Sequence, residues 1–247
     1  VSESTDDKFL NGRVSVRQPV RGFRSGLDAV MLAAAVPALS GDKVLELGSG
    51  AGVASLCLVA RVPDCSVAGI EIDPVLVETA NANANAHANG VASRAHFFAG
   101  DALAPSGELR QGFAHVFSNP PFHGVDGETP ADAARELALH DDGRLAEWFT
   151  AGIKRVISGG TFTAIIRADR LAEALGALPA RGVATFPLWP RTGEPAKRII
   201  LQATKGSRAP LALLAGLVLH ESNGRYTREA DAVLRDGASL ALAKPRL

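Results

Sequence analysis

Cysteine is scarce in this chain of 247 residues: Cys57 and Cys65 are the only two. They form no metal-ligand set, and in a chain of this size they suit free thiols in a reducing cytoplasm better than a structural disulfide, so a cytoplasmic protein without a metal is expected. Net charge is missing too, since 26 Lys and Arg balance 26 Asp and Glu. No global field can then draw in a polyanion, and any nucleic-acid partner has to be met by a local basic patch. Long hydrophobic runs are also lacking. The most apolar stretches, Val30 to Leu39 and Leu211 to Leu219, are too short or interrupted to cross a bilayer, and the first residues carry no secretory pattern, so no membrane partner is expected. No internal repeat or linker stands out, which leaves one domain over residues 1–247.

What is present is an alternation of short apolar strands with helical stretches, the pattern of an α/β fold with a mostly parallel sheet. Val44-Leu45-Glu46-Leu47 reads as a buried strand that runs into Gly48-Ser49-Gly50-Ala51-Gly52 and then an apolar helical stretch to Val62. Strand, glycine loop and helix are the order a nucleotide site needs, because glycines admit a close ligand and the helix start presents unpaired N–H groups. A nicotinamide or flavin fingerprint would place its third glycine at position 53, where Val53 stands, so dinucleotide binding is disfavoured. The loop alone also fits an ordinary strand-to-helix turn.

The second strand, Ser66 to Ile70, delivers Glu71-Ile72-Asp73-Pro74 at a distance from the loop that sets the Glu71 carboxylate beside a ribose. Asp73 before Pro74 reads as a helix cap. The Ala- and Asn-rich tract from Ala80 to Asn89 fits a helix ending at Gly90 and carries no evident chemistry. A third strand, Ala95-His96-Phe97-Phe98, leads to Gly100-Asp101-Ala102, where Asp101 is either a ligand reader or a turn aspartate.

Phe113 to Ser118 reads as a further strand, and Asn119-Pro120-Pro121-Phe122 follows at its carboxyl end, where open α/β sheets bind ligands. An amine conjugated to a planar ring is a poor nucleophile because its lone pair is delocalised. Two acceptors, the Asn119 side-chain oxygen and a carbonyl at Pro120, would draw its N–H groups aside and aim the lone pair outwards, while Phe122 stacks on the ring. The same four residues also suit a proline-rich turn capped by Asn.

Glu46-Leu47-Gly48-x-Gly50-x-Gly52 resembles the first motif of class I S-adenosylmethionine-dependent methyltransferases. That resemblance implies a Rossmann-like, mostly parallel seven-stranded sheet, one strand antiparallel near the edge, with helices on both faces. It also implies S-adenosyl-L-methionine as cofactor, with Glu46, Gly48, Gly50 and Gly52 bordering its methionine part, Glu71 and Ile72 at its ribose, and Asp101 and Ala102 at its adenine. The stretch from Gln18 through Arg24 and Asp28 to Leu32 is similar to the leading motif of the bacterial valine-tRNA adenine-N6 methyltransferases, as more weakly is Leu217 to Ala230. This likeness implies that residues 1–27 form an extension covering the cofactor site, that Arg24 and Asp28 lie at the methionine end, that a helix runs from about Asp28 to Val36, and that tRNA is the partner. Asn119-Pro120-Pro121-Phe122-His123 also resembles ribosomal-RNA guanine-N2 methyltransferases, and a glutamine amide can use a similar clamp, so the acceptor stays open at this stage, as does a non-catalytic RNA-binding protein that retains the pocket.

Downstream, Asp142 is expected to cap a helix whose apolar face carries Leu145, Trp148, Phe149, Ile153, Val156 and Ile157, stopped near Gly159-Gly160. Thr161 to Ile166, Val183 to Leu188 and Ile199 to Gln202 read as strands, Leu171 to Leu178 and Tyr226 to Leu234 as helices, and Leu211 to Leu219 as either. The connection between Phe122 and Leu145 has the length of a lid, with His123 and His140 near its ends. Arg191, Lys197, Arg198, Lys205 and Arg208 form the clearest basic excess, suited to an RNA backbone or to a solvated edge.

Overall fold

The computed structural model describes residues 4–20, 24–85, 89–121, 144–179 and 181–242. Two strands, β1 (Ser4–Phe9) and β2 (Val14–Pro19), pair as an antiparallel hairpin ahead of helix α1 (Leu27–Ala35). The sheet then builds through β3 (Lys43–Leu47), α2 (Val53–Arg61), β4 (Ser66–Glu71), α3 (Pro74–Asn85), β5 (Ala95–Ala99) and β6 (Phe113–Ser118). Beyond the connection come α4 (Leu145–Arg155), β7 (Val156–Arg167), α5 (Leu171–Gly176), β8 (Val183–Trp189) and β9 (Arg198–Thr204). Two short strands, β10 (Ala212–Leu213) and β11 (Leu217–Val218), precede α6 (Arg228–Asp231) and a π-helical turn, Ala232–Asp236.

Sheet order is β5-β4-β3-β6-β7-β9-β8, parallel except for β9, which is antiparallel to both neighbours. The expected seven strands become nine because β10 and β11 both pair with the outer edge of β8. They are one edge strand interrupted at Gly216, whose φ of 79° and packing against the Pro187 carbonyl exclude a side chain there. That break resolves the ambiguous stretch from Leu211 to Leu219. Central strands are buried on both faces, as the runs Ala164-Ile165-Ile166 and Ile199-Ile200-Leu201 require. One apolar core packs α1, α2 and α3 on one face; the other packs α4 and α5, with Phe149 set edge-to-face on Phe162 at 5.3 Å.

Several expectations are corrected by local chemistry. Val156 and Ile157 leave the helix and open β7, and the register shift between Phe113 and His115 spans Ser158-Gly159-Gly160, so these glycines form a bulge and no helix stop. Gly160 presses on the Ala114 carbonyl, where a Cβ has no room. Tyr226 lies in a bridge to His220, and the helix begins only after Thr227, whose hydroxyl accepts the Ala230 N–H at 3.2 Å. Helix α1 starts at Leu27 and ends at Ala35, one residue early at each end of the expected span.

The Ala/Asn tract does carry chemistry of a structural kind. Asn83 accepts from the Arg17 N–H (2.9 Å) and donates to the carbonyls of Arg17 (3.1 Å) and Ala51 (3.0 Å). Asn89 exchanges the same pair of bonds with Ser15, and Asn81 with Phe97. Side-chain amides mimic a strand's backbone here, docking the hairpin on α3 and tying it to the glycine loop. No helix among the described residues is long and apolar enough to cross a membrane.

Candidate active site

Strands β3 and β6 are neighbours, with Leu47 level with Ser118, and the Ser118 hydroxyl donates to the Leu47 carbonyl at 2.9 Å. From this shared level the chain leaves β3 towards β4 and leaves β6 towards β7. The two connections diverge and open a crevice at the carboxyl ends, the switch point where α/β sheets bind ligands. Gly48 and Asn119 are the first residues of those two connections, so the topology brings the two strongest sequence motifs side by side.

On the β3 side the loop is built from inside. The N–H groups of Gly48 and Ser49 both donate to the Ile70 carbonyl at 2.9 Å, and Gly48 adopts a φ of 72°. The Trp148 ring reaches within 3.0 Å of where a Gly48 Cβ would lie, so conformation and space both demand glycine. Gly52, with φ of 87°, and Gly69 make room for the Phe97 ring beneath the loop. No described residue lies within 4 Å of where a Gly50 Cβ would be, which leaves that side of the loop open among the described residues.

Glu46 is buried under the loop and accepts from the Ser55 hydroxyl on α2. Burial pushes its carboxyl from 4.5 up to about 8, against the opposing pull of Ser55, and the Glu71 charge adds to the rise. It therefore supports the loop from below. Glu71 stands at the end of β4 with both oxygens engaged: Oε2 accepts from the Gly50 N–H (2.8 Å), Oε1 from Ile72 (2.8 Å) and Asp73 (3.1 Å). A carboxylate offers about four acceptor sites, so capacity for a ribose hydroxyl remains at Oε2. Ile72 beside it is 61% exposed, and Asp73 caps α3 through the Val75 N–H at 2.8 Å. Asp101 is exposed at the end of β5; its Oδ1 accepts from Leu103 (2.8 Å) in a side-chain turn that buries Ala102 and leaves Oδ2 without a bond to the described residues.

On the β6 side the chemistry differs. The Asn119 Oδ1 is buried and has no hydrogen-bond partner among the described residues. A buried acceptor left unpaired costs about 1–3 kcal/mol, a strain that a bound N–H donor would relieve. Pro120 is buried and Pro121 half-buried, which fixes the backbone course after Asn119. Phe122, His123, His140 and Asp142 lie outside the described residues.

Arg24 and Asp28 stand apart from the loop contacts. Arg24 donates to both oxygens of Asp7 on β1 (2.9 and 2.7 Å), and Asp28 accepts from Arg198 on β9 at 2.8 Å. Gln18, buried at the end of β2, accepts from the Ser25 N–H (2.9 Å) and donates to its carbonyl (3.1 Å), closing the approach to α1. The basic excess is not one patch. Arg191, Lys197 and Arg198 lie at the carboxyl rim, whereas Lys205, beyond the far end of β9, donates to the Val156 carbonyl at 2.6 Å, and Arg208 lies beyond it. Seven residues of strand, about 23 Å, separate the two groups.

Sequence reasoning missed Asn83, Phe97, Ser118 and Trp148 as supports of the site. Three sit inside apolar or low-complexity stretches where periodicity says only that they are buried. A signal existed for Phe97 alone: Gly69 inside a strand marks a close approach.

Sheet order and glycine loop are those of a class I S-adenosylmethionine-dependent methyltransferase. The methyltransferase small domain family matches residues 26–147. A tRNA1(Val) (adenine(37)-N6)-methyltransferase of Porphyromonas gingivalis is 33% identical over 239 residues, covering 90% of this chain and 91% of its own length. Its namesake from Aeromonas hydrophila is 27% identical over 212 residues, covering 83% and 86%. The chain belongs to this bacterial valine-tRNA (adenine-N6)-methyltransferase family, and it is an enzyme that uses S-adenosylmethionine. Among solved structures, an Agrobacterium tumefaciens protein described as a predicted O-methyltransferase superposes with a TM-score of 0.72 at 26% identity, over 86% of this chain and 98% of that one. The T. thermophilus 16S rRNA N2 G1207 methyltransferase, solved with AdoMet and guanosine, superposes at 0.55 with 20% identity over 82% of this chain and 50% of that one, a likeness of fold.

Proposed function

We propose that the chain transfers a methyl group to an exocyclic amine of RNA, adenine N6 in a tRNA anticodon loop. The observation that carries this reading is the buried Asn119 Oδ1 beside the glycine loop, without a partner among the described residues. Adenine N6 offers two N–H groups. One is accepted by Asn119 Oδ1 and the other by the Pro120 carbonyl, which withdraws both hydrogens from the ring plane and frees the nitrogen lone pair. Phe122 stacks on the base. The methyl group itself comes from the sulfonium of S-adenosylmethionine, for which the loop Gly48 to Gly52, Glu71, Ile72, Asp101 and Ala102 form the cradle, with Arg24 and Asp28 closing the methionine end. The chain's contribution is alignment; no general base is required, because the methylated amine sheds its proton readily.

Relatives named for tRNA adenine-N6 methylation over most of this chain's length support adenine over guanine N2 or a glutamine amide. An unpaired loop base is the easier target, since extruding it costs less than opening a pair. The test is methylation with labelled donor of an unmodified valine tRNA transcript, ribosomal RNA and a release-factor peptide, followed by nucleoside mass spectrometry. N6-methyladenosine in the tRNA alone is expected. Label confined to rRNA guanine or to the peptide refutes the assignment.

A further inference from the structure

At the carboxyl rim of the sheet, four strands across from Asn119, the chain builds a small hairpin after β11. The Leu219 N–H donates to the Trp189 carbonyl at 2.8 Å and the His220 N–H to Pro190 at 3.0 Å, continuing the edge pairing above β8. Glu221 then turns back through Arg225 (2.8 Å), and the Thr227 hydroxyl and N–H close on Val218 and Leu219 (2.7 and 2.9 Å). This brings the imidazole of His220 onto the phenol of Tyr226, ring centroids 4.7 Å apart and planes inclined by 24°. Nothing polar among the described residues orients the imidazole at Nδ1, which is buried without a partner, so the ring is set by the stack and the backbone bridge. Tyr226 remains 36% exposed, a large ring held rigid at the surface.

Its position relative to the clamp is fixed by strand register. Ser118 is level with Ala164, Arg167 lies three residues further up β7 beside Arg198, and Arg198 is level with Leu188 and Leu217 on the next two strands. Asn119 and the ring pair thus share one end of the sheet, four strand spacings or about 19 Å apart across the strands, with the ring pair further up along them. Arg167, Arg198 and the exposed Lys197 lie on the rim between them, Arg191 follows β8 and Arg225 precedes Tyr226; Arg167 is paired with Asp169, Arg198 with Asp28 and Arg191 with Glu194, so a phosphate would compete with these carboxylates for the arginines. Stacked aromatic surface joined to a site by cations is what a single strand of nucleic acid recognises, since every base has a π face and every linkage a phosphate.

We propose that His220 and Tyr226 form a second base-binding platform, on which an unpaired nucleobase of the same RNA stacks while the target amine lies at Asn119. This rests on the RNA reading above. The rim cations then follow the backbone between the two bases, and the enzyme selects an open loop by its span as well as by the target base.

The test uses the full chain and a valine tRNA transcript carrying 2-aminopurine at each anticodon-loop position in turn, with kinetics on the unlabelled transcript. Tyr226→Ala should raise KM for RNA roughly tenfold and abolish the stacking quench at one loop position other than the target, with kcat, KM for S-adenosylmethionine and the melting temperature unchanged. Tyr226→Phe should restore KM and quench, whereas Tyr226→Leu, which fills the space without a ring, should not. Unchanged KM for RNA in Tyr226→Ala, rescue by Leu, or a defect accompanied by a lowered melting temperature overturns the platform while wild-type tRNA methylation leaves the function standing. Failure of the wild type to methylate or bind the tRNA overturns both.

Discussion

The two halves of the sheet treat their polar groups in opposite ways. In the half formed by β3, β4 and β5, each of these acidic side chains already has a partner: Glu71 holds the backbone of Gly50, Ile72 and Asp73, Asp101 that of Leu103, and Glu46 the Ser55 hydroxyl. Across the crevice, Asn119 at the end of β6 keeps a buried acceptor without a partner among the described residues. The difference separates two tasks. Under the proposed function, a cofactor used in every cycle would be met by a loop whose shape is set before it arrives, whereas the Asn119 acceptor would be held for a transient N–H, stabilisation reserved for the moment of transfer.

The sharpest way to break that contrast is Asn119→Ala. Turnover on tRNA should fall by roughly a hundredfold or more while affinity for S-adenosylmethionine, read by calorimetry, stays near that of the wild type. Equal losses in both would mean that Asn119 belongs to the cofactor half. The unpaired Oδ1 adds a second readout: removing it relieves a desolvated group, so Asn119→Ala should melt no lower than the wild type.

Glu71→Ala probes the opposite side and should show the opposite split. Cofactor affinity should weaken by about 1–3 kcal/mol, because the N–H groups of Gly50, Ile72 and Asp73 lose their acceptor and the ribose loses a carboxylate. At saturating cofactor, turnover should recover most of its value. Unaltered affinity would remove Glu71 from the ribose.

Asn83→Ala asks whether the shape of the loop depends on the N-terminal hairpin. The substitution leaves the Ala51 carbonyl unpaired in a buried setting and the Arg17 N–H and carbonyl unpaired in a partly buried one, and should lower stability by about 2 kcal/mol in urea unfolding. A weaker cofactor affinity should accompany it through Ala51. Loss of stability with intact affinity would make the hairpin an independent cover.

Much of this arrangement was legible in the chain, for reasons that also define the limit. Strand β6, the glycine loop and the cap at Asp73 announce themselves because backbone demands restrict the residues that can fill them. The helix expected to reach Ile157 instead ends at Arg155, since an apolar run cannot say where a bulge at Gly159-Gly160 turns it into β7. The basic segment looked continuous because sequence distance hides that β9 carries its two ends to opposite rims. Asn81, Asn83 and Asn89 were opaque for a third reason: an amide that imitates backbone has no periodic signature.

The smallest effect tests whether the cofactor half is electrically quiet beneath its loop. Burial holds the Glu46 carboxyl at about 8 instead of 4.5, so between these values the folded protein keeps a proton that the unfolded chain releases. With more protons bound when folded, stability falls as pH rises: the contribution is fully present below 4.5, declines across the window and is lost above about 8. One proton corresponds to a slope of at most about 1.4 kcal/mol per pH unit. Glu46→Gln keeps the shape and the Ser55 partner but cannot ionise, so urea unfolding across that window should show a flatter pH profile than the wild type, and the variant should gain on it towards pH 8. Parallel profiles would mean that Glu46 is ionised in the folded protein, and that the loop rests on a buried charge with Ser55 as its counterweight.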